Sequence, residues 1–195
     1  MGSSQNDRTR LFTISDEYIK KLKQVEPRVQ NNYRGNRLYC KTELKAQTIE
    51  DDINYYIPLS SAKESQKQIE NASIFKLYGR DQTDYLGAIH INNMIPVPDK
   101  FACEWSPEGN TDQKYVFLVI KQAKYIKKNE DDILKSCELL YDSKTDQIDK
   151  EFFKKNRKEV MLYKRLMNDV AKLEQVSSRE NRLQLNQSFS ETEIE

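Results

Sequence analysis

The residues best suited to chemistry lie close together: Ser60, Ser61 and Lys63 follow the apolar, aromatic run Tyr55-Tyr56-Ile57-Pro58-Leu59. Such a run reads as a β-strand, and Pro58 is expected to close it because proline cannot donate to a sheet ladder. Two hydroxyls and an amine are then delivered to one point from a rigid element, as a phosphate-handling site requires. The same residues have a structural reading. Ser61-Ala62-Lys63-Glu64 is spaced as a capping box, with the serine hydroxyl on an early helix amide and the glutamate reaching back. The two readings can coexist, since a helix N-terminus with free amides is itself an anion site. Serine beside a desolvated lysine suits acyl transfer. The same groups equally suit RNA cleavage, where the substrate's own 2′-hydroxyl attacks and the protein supplies a base, an acid and donors to the pentavalent phosphate. Composition alone does not choose.

Other chemistries are poorly supplied. One histidine, His90, and three scattered cysteines, Cys40, Cys103 and Cys137, make no usual zinc constellation. The cysteines form no CxxC pair and read as reduced residues of a cytoplasmic protein. Glu50-Asp51-Asp52 reads as a solvated acidic loop and not as a magnesium site. Neither GxGxxG nor GxxxxGK[ST] occurs, and the chain has only five glycines, which argues against a nucleotide-dependent enzyme. His90 lies inside the apolar stretch Ala88-Ile89-His90-Ile91 and reads as a structural histidine. No cofactor is called for.

The elements that must position the serines follow from periodicity and turn signals. A short strand at residues 10–14 leads through the N-cap Ser15 into a helix with Asp16 and Glu17 in its first turn. Tyr18, Leu22 and Val25 share one face of it, and Lys20, Lys21 and Lys23 lie around the rest. The loop at residues 27–36 carries Tyr33 and Arg34, with Arg37 just after it, and an aromatic ring among arginines suits single-stranded nucleic acid. Strands are expected at residues 37–44 and 53–59, a short helix at 62–70, and a hairpin from 73–78 to 85–91. Met94-Ile95-Pro96-Val97-Pro98 suits an edge strand, and residues 99–112 a loop. Helices are expected at 113–128, 131–141 and 149–175, and the many short strands suggest a strongly bent sheet or barrel.

The chain of 195 residues suits one domain, at 10–176, with polar, flexible termini at 1–9 and 177–195. No apolar run approaches the roughly 18 residues of a membrane span, and the polar start lacks an export signal. The net charge is only +1, but residues 1–45 hold ten Lys and Arg against five acids. That surplus is either a nucleic-acid-binding patch or a solvated face.

Three segments together resemble the ToxN/AbiQ endoribonuclease toxins of type III toxin–antitoxin systems: Phe12-Thr13-Ile14-Ser15-Asp16-Glu17-Tyr18-Ile19, Tyr56-Ile57-Pro58-Leu59-Ser60-Ser61-Ala62-Lys63, and Gly87 to Pro98. The resemblance spans residues 10–175 in the same order. It implies an α+β fold, with a compact, bent, mostly antiparallel sheet or barrel related to MazF, Kid and CcdB, surrounded by helices. It also implies a metal-independent endoribonuclease, without cofactor, that leaves a 2′,3′-cyclic phosphate and a 5′-hydroxyl. A small repeat RNA folded as a pseudoknot would inhibit the toxin and be cut from its precursor by it, in a protein–RNA hetero-oligomer. Messenger and phage transcripts would be the cytoplasmic substrates, in phage defence or plasmid maintenance, away from any membrane.

Motif by motif, the resemblance assigns the key serine to Ser61, its hydroxyl neighbour to Ser60 and the lysine to Lys63. The tyrosine of the first helix falls on Tyr18, and the loop tyrosine and following basic residue on Tyr33 and Arg37. Ser60 stands where threonine is frequent and loses the β-branch. Arg37 stands where lysine is frequent and hardly ever gives up its proton, so it is a charge stabiliser. One RNA groove is expected, lined from the basic N-terminal half by Arg34, Lys41, Arg28 and Lys20.

Overall fold

The computed structural model describes residues 11–80 and 83–192, with side chains described to residue 183. The expected tail at residues 1–9 lies outside them. Among the described residues seven strands form one sheet: β1 (Leu11–Ile14), β2 (Leu38–Lys45), β3 (Asn54–Ser60), β4 (Phe75–Tyr78), β5 (Tyr85–Ile89), β6 (Ile95–Val97) and β7 (Ala102–Glu104). Every pairing is antiparallel. The order is β4-β5-β3-β2-β1-β7, with β6 beside β3 off this path. The sheet ends at β4 and β7 and does not close, so the barrel alternative of the sequence reading is not realised. β7 lies where a loop was expected.

β3 is the central strand, and Pro58 does not close it. On one edge Pro58 lies opposite Tyr39 of β2. On the other edge the partner changes from β6, where Tyr56 faces Ile95, to β5, where Leu59 faces Ile89. The carbonyl of Pro58 accepts from the His90 amide at 3.0 Å. A strand residue's nitrogen and carbonyl point to the same side, so the missing N–H faces the changeover, where no continuous ladder exists to be broken. Beyond it, Gly87 lets β5 approach the last residue of β3. Its φ is +131°, and a Cβ there would sit 2.3 Å from the carbonyl oxygen of Ser60.

Six helices surround the sheet among the described residues: α1 (Asp16–Val25), α2 (Glu64–Lys67), α3 (Gln113–Lys128), α4 (Glu130–Thr145), α5 (Lys150–Leu166) and α6 (Val170–Thr192). α1 starts as expected, the Ser15 hydroxyl accepting from the Tyr18 amide. Its inward face is Tyr18, Ile19 and Leu22, whereas Val25 is exposed. The single helix expected at 149–175 is two. Met167 is extended, and Asp169 receives the amide of Lys172 on its side chain, which caps α6.

Of the polar tail expected at residues 177–195, the part to Thr192 continues α6, with Ser177 and Ser178 buried, and residues 193–195 lie outside the described residues. It is held by polar contacts: Lys21 donates to the Glu180 carboxylate at 2.9 Å and Lys100 to the Glu180 carbonyl at 2.7 Å. Ser178 also donates to Asp51. A helix seated through hydroxyls and charges carries no apolar stripe by which to read it.

Two buried groups fix the packing. Glu174 of α6, with no exposed surface, accepts from Tyr55 Oη of β3 at 2.6 Å, Tyr141 Oη of α4 at 2.8 Å and the Thr48 amide at 2.9 Å, and also from the Thr48 hydroxyl. Burial, then the neighbouring carboxylate, raises the Tyr55 phenol far above its ordinary range, so it stays a donor. Tyr18 is equally buried. Its hydroxyl donates to the Pro96 carbonyl at 2.7 Å and its ring stacks on Phe101 with centroids 4.5 Å apart.

Glu174→Ala leaves two phenols and an amide without an acceptor in a dry interior, and should lower unfolding free energy by about 3–5 kcal/mol in urea titrations. Tyr18→Phe removes one buried hydrogen bond and should cost about 1 kcal/mol in the same titration.

Candidate active site

The turn from β3 into α2 presents the two serines and the lysine, but not as the expected capping box. Lys63 is the N-cap: its amide donates to Gln66 Oε1 at 3.1 Å, and its carbonyl accepts from the Gln66 amide at 3.0 Å. Glu64 pairs with Lys67 instead, at 2.8 Å. Ser61 is therefore exposed and has no capping role. Lys63 is exposed and makes no ion pair with another described residue.

Ser60, half-buried at the end of β3, sits in a network that the sequence did not disclose. Gln66 is buried, and its Oε1 also accepts from Tyr85 Oη at 2.7 Å. Two donors on Oε1 orient the amide, so Nε2 donates to Ser60 Oγ at 2.8 Å. Ser60 Oγ in turn lies 2.8 Å from His90 Nε2 and 3.4 Å from the Ala88 carbonyl. The Ser60 hydroxyl has two acceptors in reach, the Ala88 carbonyl and His90 Nε2. Gln66 Nε2 also lies 3.4 Å from His90 Nε2, so the tautomer with Nε2 bare gives both donors an acceptor there. Burial first, and then Arg37 and Lys63, lowers the His90 pKa to about 4, so the ring is neutral near pH 7. The histidine read as structural from its apolar neighbours lines the cleft.

The loop before β2 forms the opposite wall. Tyr33, Arg34 and Gly35 all take left-handed conformations, with φ of 51°, 60° and 80°. Non-glycine residues rarely adopt this region, and such strain persists only where the surroundings fix it. Here Asp16 Oδ1 accepts from the Gly35 amide at 3.0 Å and Asn32 Nδ2 at 2.8 Å, and Asn32 Nδ2 lies 2.7 Å from the Ile14 carbonyl. The turn places Tyr33 at the mouth, 64% exposed, with the Arg37 guanidinium 4.8 Å from its ring centre. Arg37 is 8% exposed and donates to the carbonyls of Asn31 at 2.7 Å and Leu59 at 2.9 Å. It has no carboxylate partner among the described residues.

Between these walls lies a cleft of about 670 Å³, closed on a third side by Tyr115 and Leu118 of α3. It is lined by Lys23, Arg37 and Lys63, with Ser60, Ser61 and His90, and by no aspartate or glutamate among the described residues. Such a lining suits an anion, and its serine, histidine and lysine are groups able to move a proton. Among the described residues no group of three or more His, Cys, Asp or Glu could hold a metal ion. No described helix is long and apolar enough to cross a membrane.

Five of the six residues expected to act in catalysis, Ser60, Ser61, Lys63, Tyr33 and Arg37, come together here. Tyr18 does not: its helix turns it into the core, where no nucleotide can stack on it. The expected RNA-binding residues lie outside the cleft lining. Arg28 is engaged by Glu26, at 2.8 Å, and by the Arg165 carbonyl, at 3.1 Å. That arginine's hydrogen bonds pull the Glu26 carboxyl down to about 2. Lys41 lies 3.5 Å from Asp99, while Lys20 and Arg34 are exposed. Lys23, on the last turn of α1 and bonded to Asn31, is the cleft cation that helix charge patterning did not single out.

Comparison with known proteins places this geometry. The model of toxin ToxN of type III toxin–antitoxin systems matches residues 10–178. The endoribonuclease ToxN of Bacillus thuringiensis subsp. kurstaki is 30% identical over 148 residues, covering 74% of this chain and 73% of that protein. The endoribonuclease AbiQ of Lactococcus lactis subsp. lactis is 36% identical over 98 residues, 46% of this chain and 51% of the other. Among solved structures, a bacterial type III toxin selectively inhibited by a non-coding RNA pseudoknot superposes with a TM-score of 0.73 at 28% identity, covering 89% of this chain and 98% of that one. The lactococcal anti-phage endoribonuclease AbiQ superposes with a TM-score of 0.73 at 24% identity, over 90% and 99%, and shares the fold. With the family model matched over most of its length, the chain belongs to the ToxN family of type III toxin–antitoxin toxins.

Proposed function

We propose that this chain is an endoribonuclease that cuts single-stranded RNA by transesterification, without a metal ion, leaving a 2′,3′-cyclic phosphate and a 5′-hydroxyl. One observation carries the reading: three cations and two serine hydroxyls line a cleft that has no carboxylate among its described residues. A phosphodiester is the anion such a lining fits, and fixed donors around it stabilise the charge that develops on the pentavalent phosphate. Arg37, already held by two carbonyls, neutralises that charge without reorganising. Ser61 donates to a phosphate oxygen. Lys63, an exposed ammonium with donors only, protonates the departing 5′-oxygen. Tyr33, exposed beside Arg37, stacks on a base flanking the cut.

The domain at residues 10–176 then forms one groove for target transcripts and for a repeat RNA antitoxin, in a protein–RNA assembly. The relatives named endoribonucleases and the neighbour inhibited by an RNA pseudoknot support this. Anti-phage defence is supported by the likeness to AbiQ. Within the groove Lys23 joins the cleft cations, while Arg34 and Lys41 serve the RNA further out.

Two other readings lose their footing. A binding module in which Ser61 is only a helix cap requires a cap that Ser61 does not form. A serine–lysine hydrolase requires a desolvated lysine, and Lys63 is exposed.

Purified protein incubated with single-stranded RNA in EDTA should yield cyclic-phosphate ends, and Lys63→Ala should lose cleavage by 100-fold or more, on the order expected for a general acid, while keeping RNA affinity. Intact RNA with the parent protein, or equal loss of binding in the variant, would count against the assignment. Lys23→Ala should weaken RNA binding across sequences and reduce the slope of log affinity against log salt by about 1. An unchanged slope would remove Lys23 from the groove.

A further inference from the structure

The cleft holds acids and charge stabilisers, yet the reaction proposed above also needs a base for the 2′-hydroxyl proton. Arg37 cannot serve, being permanently protonated, and Lys63 as an ammonium offers no lone pair. Gln66 has its amide oxygen taken by two donors. Lys23 is engaged by Asn31, and among the described lining residues this leaves the imidazole of His90, whose Nε2 is masked: Ser60 Oγ lies over it at 2.8 Å. The masking group is itself polarised, because Gln66 Nε2 donates to the same oxygen at 2.8 Å.

We infer that Ser60 and His90 together are the general base of this site, the serine hydroxyl touching the ribose and the imidazole accepting through it. The inference rests on the endoribonuclease reading. In the step, the 2′-oxygen forms a bond to phosphorus as its proton passes to Ser60 Oγ. The proton already on Ser60 moves to His90 Nε2, giving an imidazolium. The bond from phosphorus to the 5′-oxygen breaks, and that oxygen takes a proton from Lys63. One proton enters the protein and one leaves it; solvent later returns both groups to their starting states. Ser60 is the catalytic residue and His90 acts through it.

The surroundings keep His90 ready for this task. The charged groups facing it are Arg37, from the loop before β2, and Lys63, from the turn before α2, both of which disfavour an imidazolium. Tyr85 reaches the cluster only through Gln66. Among the described residues, the lining has no carboxylate orienter of the kind that stabilises a charged histidine. The histidine therefore stays neutral to about pH 4 and can accept at any pH above it. The sign follows: cleavage is held above that value and lost as pH falls through it.

The test compares the parent, Ser60→Ala, His90→Gln and the double variant in single-turnover cleavage of RNA from pH 3.5 to 8, with folding checked by circular dichroism at each pH. Glutamine at position 90 can still accept the Ser60 hydrogen bond but cannot take its proton, so a merely structural role would survive. Each single variant should cleave about 100-fold slower, the double variant no slower than either, and the acid limb of the parent should vanish in His90→Gln. A substrate with sulfur at the 5′ bridging position needs no acid for its leaving group, and should restore Lys63→Ala but not His90→Gln. Cleavage by His90→Gln within threefold of the parent, an unchanged acid limb, or rescue by the sulfur substrate would overturn the relay alone. No cleavage by the parent would overturn the relay together with the endoribonuclease reading.

Discussion

The carboxylate of Glu174 is the constraint on which the arrangement depends. Among the described residues it has no cation partner, and it is tolerable there because the donors around it are turned inward. Two tyrosine hydroxyls, a backbone amide and a threonine hydroxyl converge on it from β3, α4 and the turn after β2. A buried charge satisfied in this way is demanding geometrically: a shift of any of the three elements leaves an unpaired group in a dry interior. Since Tyr55 belongs to β3, the network also sets the position of the strand that ends in Ser60. The Ser60 end of that strand is fixed by another close contact, Gly87 against the Ser60 carbonyl.

How much of this was legible in the sequence depends on how local each signal was. The start of β3, the α1 cap at Ser15 and the boundaries of α3 are local, and the structure has them where periodicity and capping put them, while β3 runs on through Pro58 to Ser60. The serines and Lys63 were visible because they adjoin one another. His90 was not, since its apolar neighbours describe the strand and say nothing of Ser60, which lies 30 residues earlier. Gln66 carried only a helix-interior signal. Tyr18 misled in the opposite direction: residue type allows a stacking role, and only the direction of α1 shows that the ring points into the core. The break after Leu166 and the length of α6 were lost for one reason, that hydrogen bonds and ion pairs seat these segments where an apolar stripe would have announced them.

The two walls of the cleft are built differently. The β3–α2 side is ordinary backbone ending in a satisfied side-chain network. The loop side is strained, three successive residues being held left-handed by Asp16 and Asn32. That cost sets Tyr33 outward and folds the Arg37 guanidinium back toward Leu59 of β3. The basic surplus of the N-terminal segment is accordingly not a uniform patch. Some of its cations are tied up in ion pairs, as Arg28 and Lys41 are, and the ones that face the cleft are selected by this turn and by the last residues of α1.

Arg37 has a consequence beyond recognition. A guanidinium that is largely removed from water and meets carbonyls but no carboxylate is held at a cost in the empty protein. An anion in the cleft relieves that cost in the folded chain and has no equivalent site on the unfolded one. By linkage, whatever anionic ligand fills the cleft also shifts the folding equilibrium, by an amount that grows with the logarithm of its concentration over its dissociation constant. Occupancy and thermodynamic stability are then one variable in this molecule, and the empty form is the more easily unfolded of the two.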